Sequence, residues 1–137
     1  MKIVVVDGGG GGVGKVVIEK LRREFGERVE ILAFGTNSVA TAAMLKAGAN
    51  EGATGENAIE ENMPKADIII GALAVVVAHA MLGELTPRMA EAIAKSTAKK
   101  LLLPFNRGGI ELVGFKPEPL PHLVDELLIQ IKRIWRD

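Results

Sequence analysis

Residues 3–25 read IVVVDGGGGGVGKVVIEKLRREF, and the change of texture along that stretch decides the fold. Residues 3–6 form a continuous apolar run of β-branched side chains, the pattern of a strand buried on both faces. From Gly14 onward, Val17, Ile18, Leu21 and Phe25 recur at helical spacing, and Gly26 stands where a helix C-terminus favours glycine. The order is strand, glycine loop, helix. Ordering five consecutive glycines is unfavourable, by roughly 0.5–1 kcal/mol each relative to alanine inside regular structure. The loop therefore needs a reason.

The same alternation continues outward. Residues 29–34 read as a second strand that runs into GTNS (35–38), where Asn37 or Ser38 can cap a helix through Ala47 ended by Gly48. A short third strand near Ala53 and a helical turn from Asn57 follow, and residues 68–70 give a fourth strand. Residues 72–82 are apolar without a clear period; length favours a buried helix, and a strand stays open. Thr86-Pro87 is a cap followed by proline at the first helical position, with the helix running to about Ser96. Residues 101–105 read as a strand, and NRGG (106–109) turns toward residues 110–114 as an antiparallel edge hairpin. Residues 115–121, FKPEPLP, form a stiff linker to a last helix at 122–136, with Leu123, Leu127, Ile131 and Ile134 on one face. Alternating strands and helices in one chain predict a single α/β domain over residues 1–137. The expected architecture is a three-layer, Rossmann-like doubly wound sheet, mostly parallel, with a C-terminal edge hairpin and a final helix.

Composition narrows the function classes. A 137-residue chain that is 48% apolar can build one adequate core and has no room for a separate substrate domain. Seventeen basic and 17 acidic residues cancel, and only 4% of the residues are aromatic, so neither a field nor stacking platforms favour nucleic acid. The absence of cysteine excludes thiol nucleophiles, disulfides and thiolate metal sites. The N-terminal apolar run is too short for a signal peptide. The tract at 68–83 falls short of the ~20 residues of a spanning helix. A soluble cytoplasmic protein without a membrane partner is expected.

Three registers compete over the glycines. Gly9, Gly11 and Gly14 satisfy G-x-G-x-x-G of dinucleotide-binding folds, and Gly8, Gly12 and Gly14 satisfy G-x-x-x-G-x-G of short-chain dehydrogenases. Gly9, Gly14 and Lys15 approach the P-loop, but Val16 stands where a Mg²⁺-binding Ser or Thr belongs. Position favours a phosphate cradle over a tight connection alone, because backbone N–H groups at a helix start attract an anion and glycines let it approach. The cradle would comprise Gly8, Gly9, Gly10, Gly11, Gly12, Val13 and Gly14. The acid that grips an NAD ribose should lie ~20 residues beyond the glycines, yet Gly35, Thr36, Asn37 and Ser38 stand there. Thr36, Asn37 and Ser38 can bond a ribose or a 2′-phosphate, or serve only as a helix cap. Asp7 repels phosphate unless a metal intervenes; capping the loop's N–H groups is its commoner role. Lys15 can neutralise phosphate or simply be solvated.

Catalytic groups are scarce. Without tyrosine there is no Tyr-Lys pair of short-chain dehydrogenases, and neither serine, Ser38 or Ser96, sits in G-x-S-x-G. His79 and His122 lie in unrelated segments without metal-ligand spacing, so no metal site is expected; His79 reads as a core or interface residue and His122 as a surface helix start. The polar residues expected at strand C-terminal ends are Asp7, Thr36, Asn37, Thr54, Glu56, Asn57, Asn106 and Arg107. Glu56 is a candidate acid or base and Arg107 a candidate anion clamp, yet each also suits a turn or surface role. No catalytic residue follows, and whether the chain is an enzyme stays open.

The segments VVVDGGGGGVGK (4–15), FGTNSVATAAMLKAGANEGATGENAI (34–59) and MLGELTPRMAEAIA (81–94) resemble a family of small bacterial proteins catalogued as domain of unknown function 3842. The resemblance spans nearly the whole chain and implies a stand-alone bacterial protein without supplying a catalytic residue. The leading expectation from the residues is binding of NAD, NADP or another nucleotide, with pyrophosphate over the glycines. The alternative is a non-catalytic ligand-sensing or interaction module acting as a homo-oligomer, with residues 75–82 buried against a partner or second copy. A P-loop phosphotransferase stands third.

Overall fold

The computed structural model describes residues 1–105 and 108–135. β1 (Lys2–Asp7) leads through the glycines into α1 (Gly12–Phe25), β2 (Glu30–Gly35) into α2 (Ser38–Ala47), and β3 (Glu51–Thr54) into α3 (Glu56–Asn62). β4 (Ile68–Ala72) and β5 (Lys99–Leu103) reach α4 (Pro87–Lys95) and α5 (Leu120–Ile134) through longer connections. The five strands pair in the order β3-β2-β1-β4-β5, every pair parallel.

Residue alternation distributes the core. Successive side chains of a strand face opposite ways, so Ile3, Val5, Ile31, Ala33, Ile68 and Ile70 pack under α1 and α5 with Val17, Ile18, Leu21, Leu127 and Ile131. Val4, Val6, Leu32, Phe34 and Ile69 face the other way, against Ile59 of α3 and Met89 and Ile93 of α4. The molecule is a three-layer, Rossmann-like α/β sandwich around an all-parallel sheet. Because β1 lies between β2 and β4, the sheet grows away from β1 in both directions. The strand order reverses at the β1–β4 boundary.

Two sequence expectations are corrected. No edge hairpin follows β5: residues 110–114 form no strand, and Phe115 N donates to Leu112 O at 3.2 Å to close a turn at Gly114, whose φ is +82°. The alternation of Ile110, Leu112 and Val113 resembles a strand, but all three are exposed and have no sheet face to cover. Residues 72–82 are not a helix either. β4 continues through Ala72, a 3-10 turn occupies Leu73–Val76, and the chain then winds irregularly to Leu85. Val75 and Leu85 are both fully buried against the same face of the sheet. The intervening residues bridge these anchors across the end of the sheet, which a straight helix does not do.

Candidate functional site

Asp7 ends β1 and is buried; its carboxylate turns back to accept N–H groups from Gly8 at 2.8 Å and Gly14 at 2.6 Å. It thereby caps the loop and the first turn of α1 from within. Burial holds the Asp7 carboxyl above the ordinary carboxylate range, opposed by the N–H groups of Gly14, Gly8 and Val13 and reinforced by the negative charge of Glu84.

The glycines divide by what the fold asks of them. Gly9 and Gly11 take φ of +55° and +78°, a region that disfavours any side chain. Gly8 and Gly14 are closely approached by side chains: a Cβ on Gly8 would lie 2.5 Å from Met81 Sδ, and one on Gly14 2.5 Å from Met44 Sδ, so those methionines would have to shift. Gly10 and Gly12 have ordinary φ, and a Cβ on either would meet nothing within 4 Å. Both are exposed, and their N–H groups find no acceptor among the described residues. Gly12 opens α1, so its amide belongs to the unsatisfied donors of a helix start.

The wall facing this loop is the connection that follows β4. His79, Met81 and Leu82 adopt φ of +69°, +59° and +57°, and the segment is held by His79 N to Leu85 O at 2.8 Å and Gly83 N to His79 O at 3.0 Å. Its last polar residue, Glu84, reaches across the glycines. One oxygen, Oε1, accepts Gly9 N at 3.0 Å, Asn37 Nδ2 at 2.9 Å and the Thr36 hydroxyl. The Thr36 hydroxyl and the Gly9 amide hold the Glu84 carboxyl below the ordinary range, with Asn37 adding to them against a smaller opposing effect of burial. Glu84 is thus an ionised carboxylate bridging the tips of β1 and β2. Sequence reasoning missed it, because it lies 77 positions beyond Asp7, just past the tract read as an apolar helix; the one signal was a lone acid between that tract and Thr86-Pro87.

Between loop and wall lies an open cleft of about 830 Å³ lined by Asp7, Gly8, Gly9, Gly10, Gly12 and Val13 on one side and by residues 77–82 and Glu84 on the other, with Gly108 at its margin. It opens outside the carboxyl ends of β1 and β4, where the strand order reverses. That is the place where open α/β sheets bind ligands.

The other expected contacts scatter. Asn37 caps α2 through Ala40 N at 2.8 Å and donates to Gly9 O at 2.9 Å, while Ser38 is exposed at the first position of that helix. Thr36 and Asn37 do stand beside the glycine loop, but their side-chain donors are taken by Glu84 and Gly9 O. Thr54 bonds Thr41 Oγ1 at 2.7 Å, and Glu56 accepts the Thr86 hydroxyl at 2.6 Å on the α4 side. Asn57 is exposed on α3, and Lys15 lies in a separate hollow with Lys46 between α1 and α2. Asn106 and Arg107 lie outside the described residues. His79 is exposed in the cleft wall and is not part of the core, and His122 is exposed in the first turn of α5. Among the described residues no three His, Cys, Asp or Glu side chains gather as a metal site.

Fold and cleft together define a Rossmann-like α/β protein with a glycine-loop crevice at its topological switch point. The chain belongs to the family described as Domain of unknown function (DUF3842), whose sequence model matches residues 2–136. No match was found among curated proteins or among solved structures.

Proposed function

We propose that this protein binds a nucleotide or dinucleotide, of the NAD or NADP kind, with its pyrophosphate against Gly10 and Gly12 at the mouth of α1. The observation that carries this reading is the surplus in the loop. Gly8, Gly9, Gly11 and Gly14 are accounted for by backbone conformation or packing, whereas Gly10 and Gly12 leave open space and unspent N–H donors facing a cleft at the switch point. An oxyanion supplies what those donors lack. Since Asp7 already occupies the amides of Gly8 and Gly14, the anion's share of the loop is its outer rim. The reading assigns no reaction. Among the described residues the cleft is lined by the acids Asp7 and Glu84 and by His79, and none of them is paired as a nucleophile with a base.

The test separates binding from folding. Gly12→Asp places an acid in the first turn of α1, where it is tolerated or favoured by roughly 0.3–1 kcal/mol, yet it sets a negative charge against the phosphate. Saturating nucleotide should stabilise the wild type by ~2.7 kcal/mol at a hundredfold excess over Kd. In Gly12→Asp that shift should vanish while the ligand-free melting midpoint is retained. A wild-type midpoint unmoved by NAD, NADP, ATP, GTP or FAD at millimolar concentration refutes the reading.

A second reading, an interaction module working as a homo-oligomer, is favoured by the fully exposed Leu82 and Val113. Val75 does not serve it, being sealed in the chain's own core. Sedimentation of the wild type beside Leu82→Lys and Val113→Lys decides it. Among the described residues no helix is long and apolar enough to cross a membrane. With the cysteine-free composition, this suits a nucleotide-binding protein of the cytoplasm.

A further inference from the structure

We propose that Glu84 reads the adenosine ribose and selects a dinucleotide with free 2′- and 3′-hydroxyls over one carrying a 2′-phosphate. The inference rests on the nucleotide reading above and specifies its ligand class. In dinucleotide-binding folds, an acid at the end of the second strand grips the ribose between the tips of the first two strands. Here that position cannot carry one: a Cβ on Gly35 would lie 2.5 Å from Asn37 O and 2.7 Å from Thr41 N, both fixed backbone atoms. The carboxylate comes instead from the connection after β4. Gly9, beyond the tip of β1, and Thr36 and Asn37, beyond the tip of β2, all donate to Glu84 Oε1.

Three donors on one oxygen fix the group's position and leave Oε2 without a hydrogen-bond partner among the described residues. An unengaged carboxylate oxygen accepts hydroxyls and repels phosphate. No lysine or arginine among the described residues lines the cleft, so no cation among them offsets a 2′-phosphate beside Glu84 and Asp7. A rival role is that Glu84 is an internal stand-in for ligand, seated on donors that an incoming phosphate would claim. The two roles predict opposite effects of removing its charge.

Calorimetric titration of the full chain with NAD and with NADP, on wild type, Glu84→Gln and Glu84→Asp, tests the proposal. A single hydrogen bond to a charged group corresponds to roughly tenfold or more in affinity. The wild type should therefore bind NAD at least that much more tightly than NADP, and Glu84→Gln should weaken NAD by a similar factor and narrow the gap. Glu84→Asp, one methylene shorter but still charged, should keep rejecting NADP while losing affinity for NAD. Equal affinities in the wild type, or an unchanged NAD-to-NADP ratio in Glu84→Gln, overturn the selection while leaving the glycine cradle standing. Tighter binding of both ligands to Glu84→Gln also overturns it and makes Glu84 the stand-in. No binding of either ligand by wild type or variants removes the dinucleotide reading of the cleft and this inference with it.

Discussion

Two carboxylates lining the same cleft, Asp7 and Glu84, are driven in opposite directions by their surroundings. For Asp7, burial outweighs three backbone N–H groups and its carboxyl rises; for Glu84, the hydroxyl of Thr36 and the amide of Gly9 outweigh a modest burial and its carboxyl falls. The linkage follows from which protonation state the fold prefers. Asp7's contribution to stability is fully present below its unfolded value and is lost as pH rises through its raised folded value. Glu84's contribution is present above the ordinary glutamate value and is lost as pH falls through its depressed one. Urea unfolding across a pH series should therefore show the stability of wild type relative to Asp7→Asn decreasing as pH rises from the ordinary carboxylate range through the raised value. Wild type relative to Glu84→Gln should move the other way, losing its advantage only at the acidic end. A wild-type to Asp7→Asn difference independent of pH would mean that Asp7 is not held above its ordinary value.

At the level of elements, the connections at the carboxyl end of the sheet are tied to one another rather than left to solvent. Thr86 caps α4, accepting Met89 N at 3.1 Å, and its hydroxyl donates to Glu56 of α3 at 2.6 Å. This cap fixes where α4 begins and thus where the segment carrying Glu84 must end. Thr86→Ala should cost about 1 kcal/mol, the usual loss for a helix cap, read as a lower denaturation midpoint with unchanged slope. At the C-terminal helix, apolar burial decides the balance. Ile131 is fully buried under the sheet, whereas the Lys132–Glu24 pair at 2.6 Å is roughly half exposed on both sides, and such surface pairs contribute about 0–1 kcal/mol. The stripe of α5 holds the helix against α1, with the ion pair as a minor addition.

Across the whole molecule, the two ends of the sheet have different tasks. At the amino end of the strands Arg22 donates to Gly48 O at 2.7 Å, Gly26 O at 2.8 Å and Val29 O at 3.0 Å, and also bonds Asn50, fastening the connections before β2 and β3. At the carboxyl end the glycine loop and the β4 connection leave an open cleft. Arg22→Lys keeps the charge but loses the planar fork that serves several carbonyls at once. It should lower stability by about 0.5–1.5 kcal/mol, the net range for a hydrogen bond, because the acceptors of Arg22 are part-buried or exposed. Nucleotide affinity measured on the folded variant should not change, and a parallel loss of affinity would show that the two ends are coupled.

The strand-glycine-helix texture of residues 3–25, the β-branched strands, a helix cap at Asn37 or Ser38 and the Thr86-Pro87 start were all legible in the sequence, because each depends on neighbours within a turn or two. So was the position of the glycine loop beyond a buried strand. What the sequence could not reveal depended on distant partners. The pattern of residues 110–114 matched a strand, but a strand requires a sheet edge and a face to bury, and neither is local information. The tract at 72–82 had the composition of a buried helix, yet Val75 within it and Leu85 beyond it are anchored to one sheet face and leave the residues between them to wind across the crevice. That winding brings Glu84 onto Gly9, Thr36 and Asn37, residues 47 to 75 positions away in sequence. Local sequence determined the main strands and helices and the loop between β1 and α1; tertiary structure decided the strand order and which carboxylate lies over that loop, because only packing of the β4 connection across the sheet's end brings those groups together.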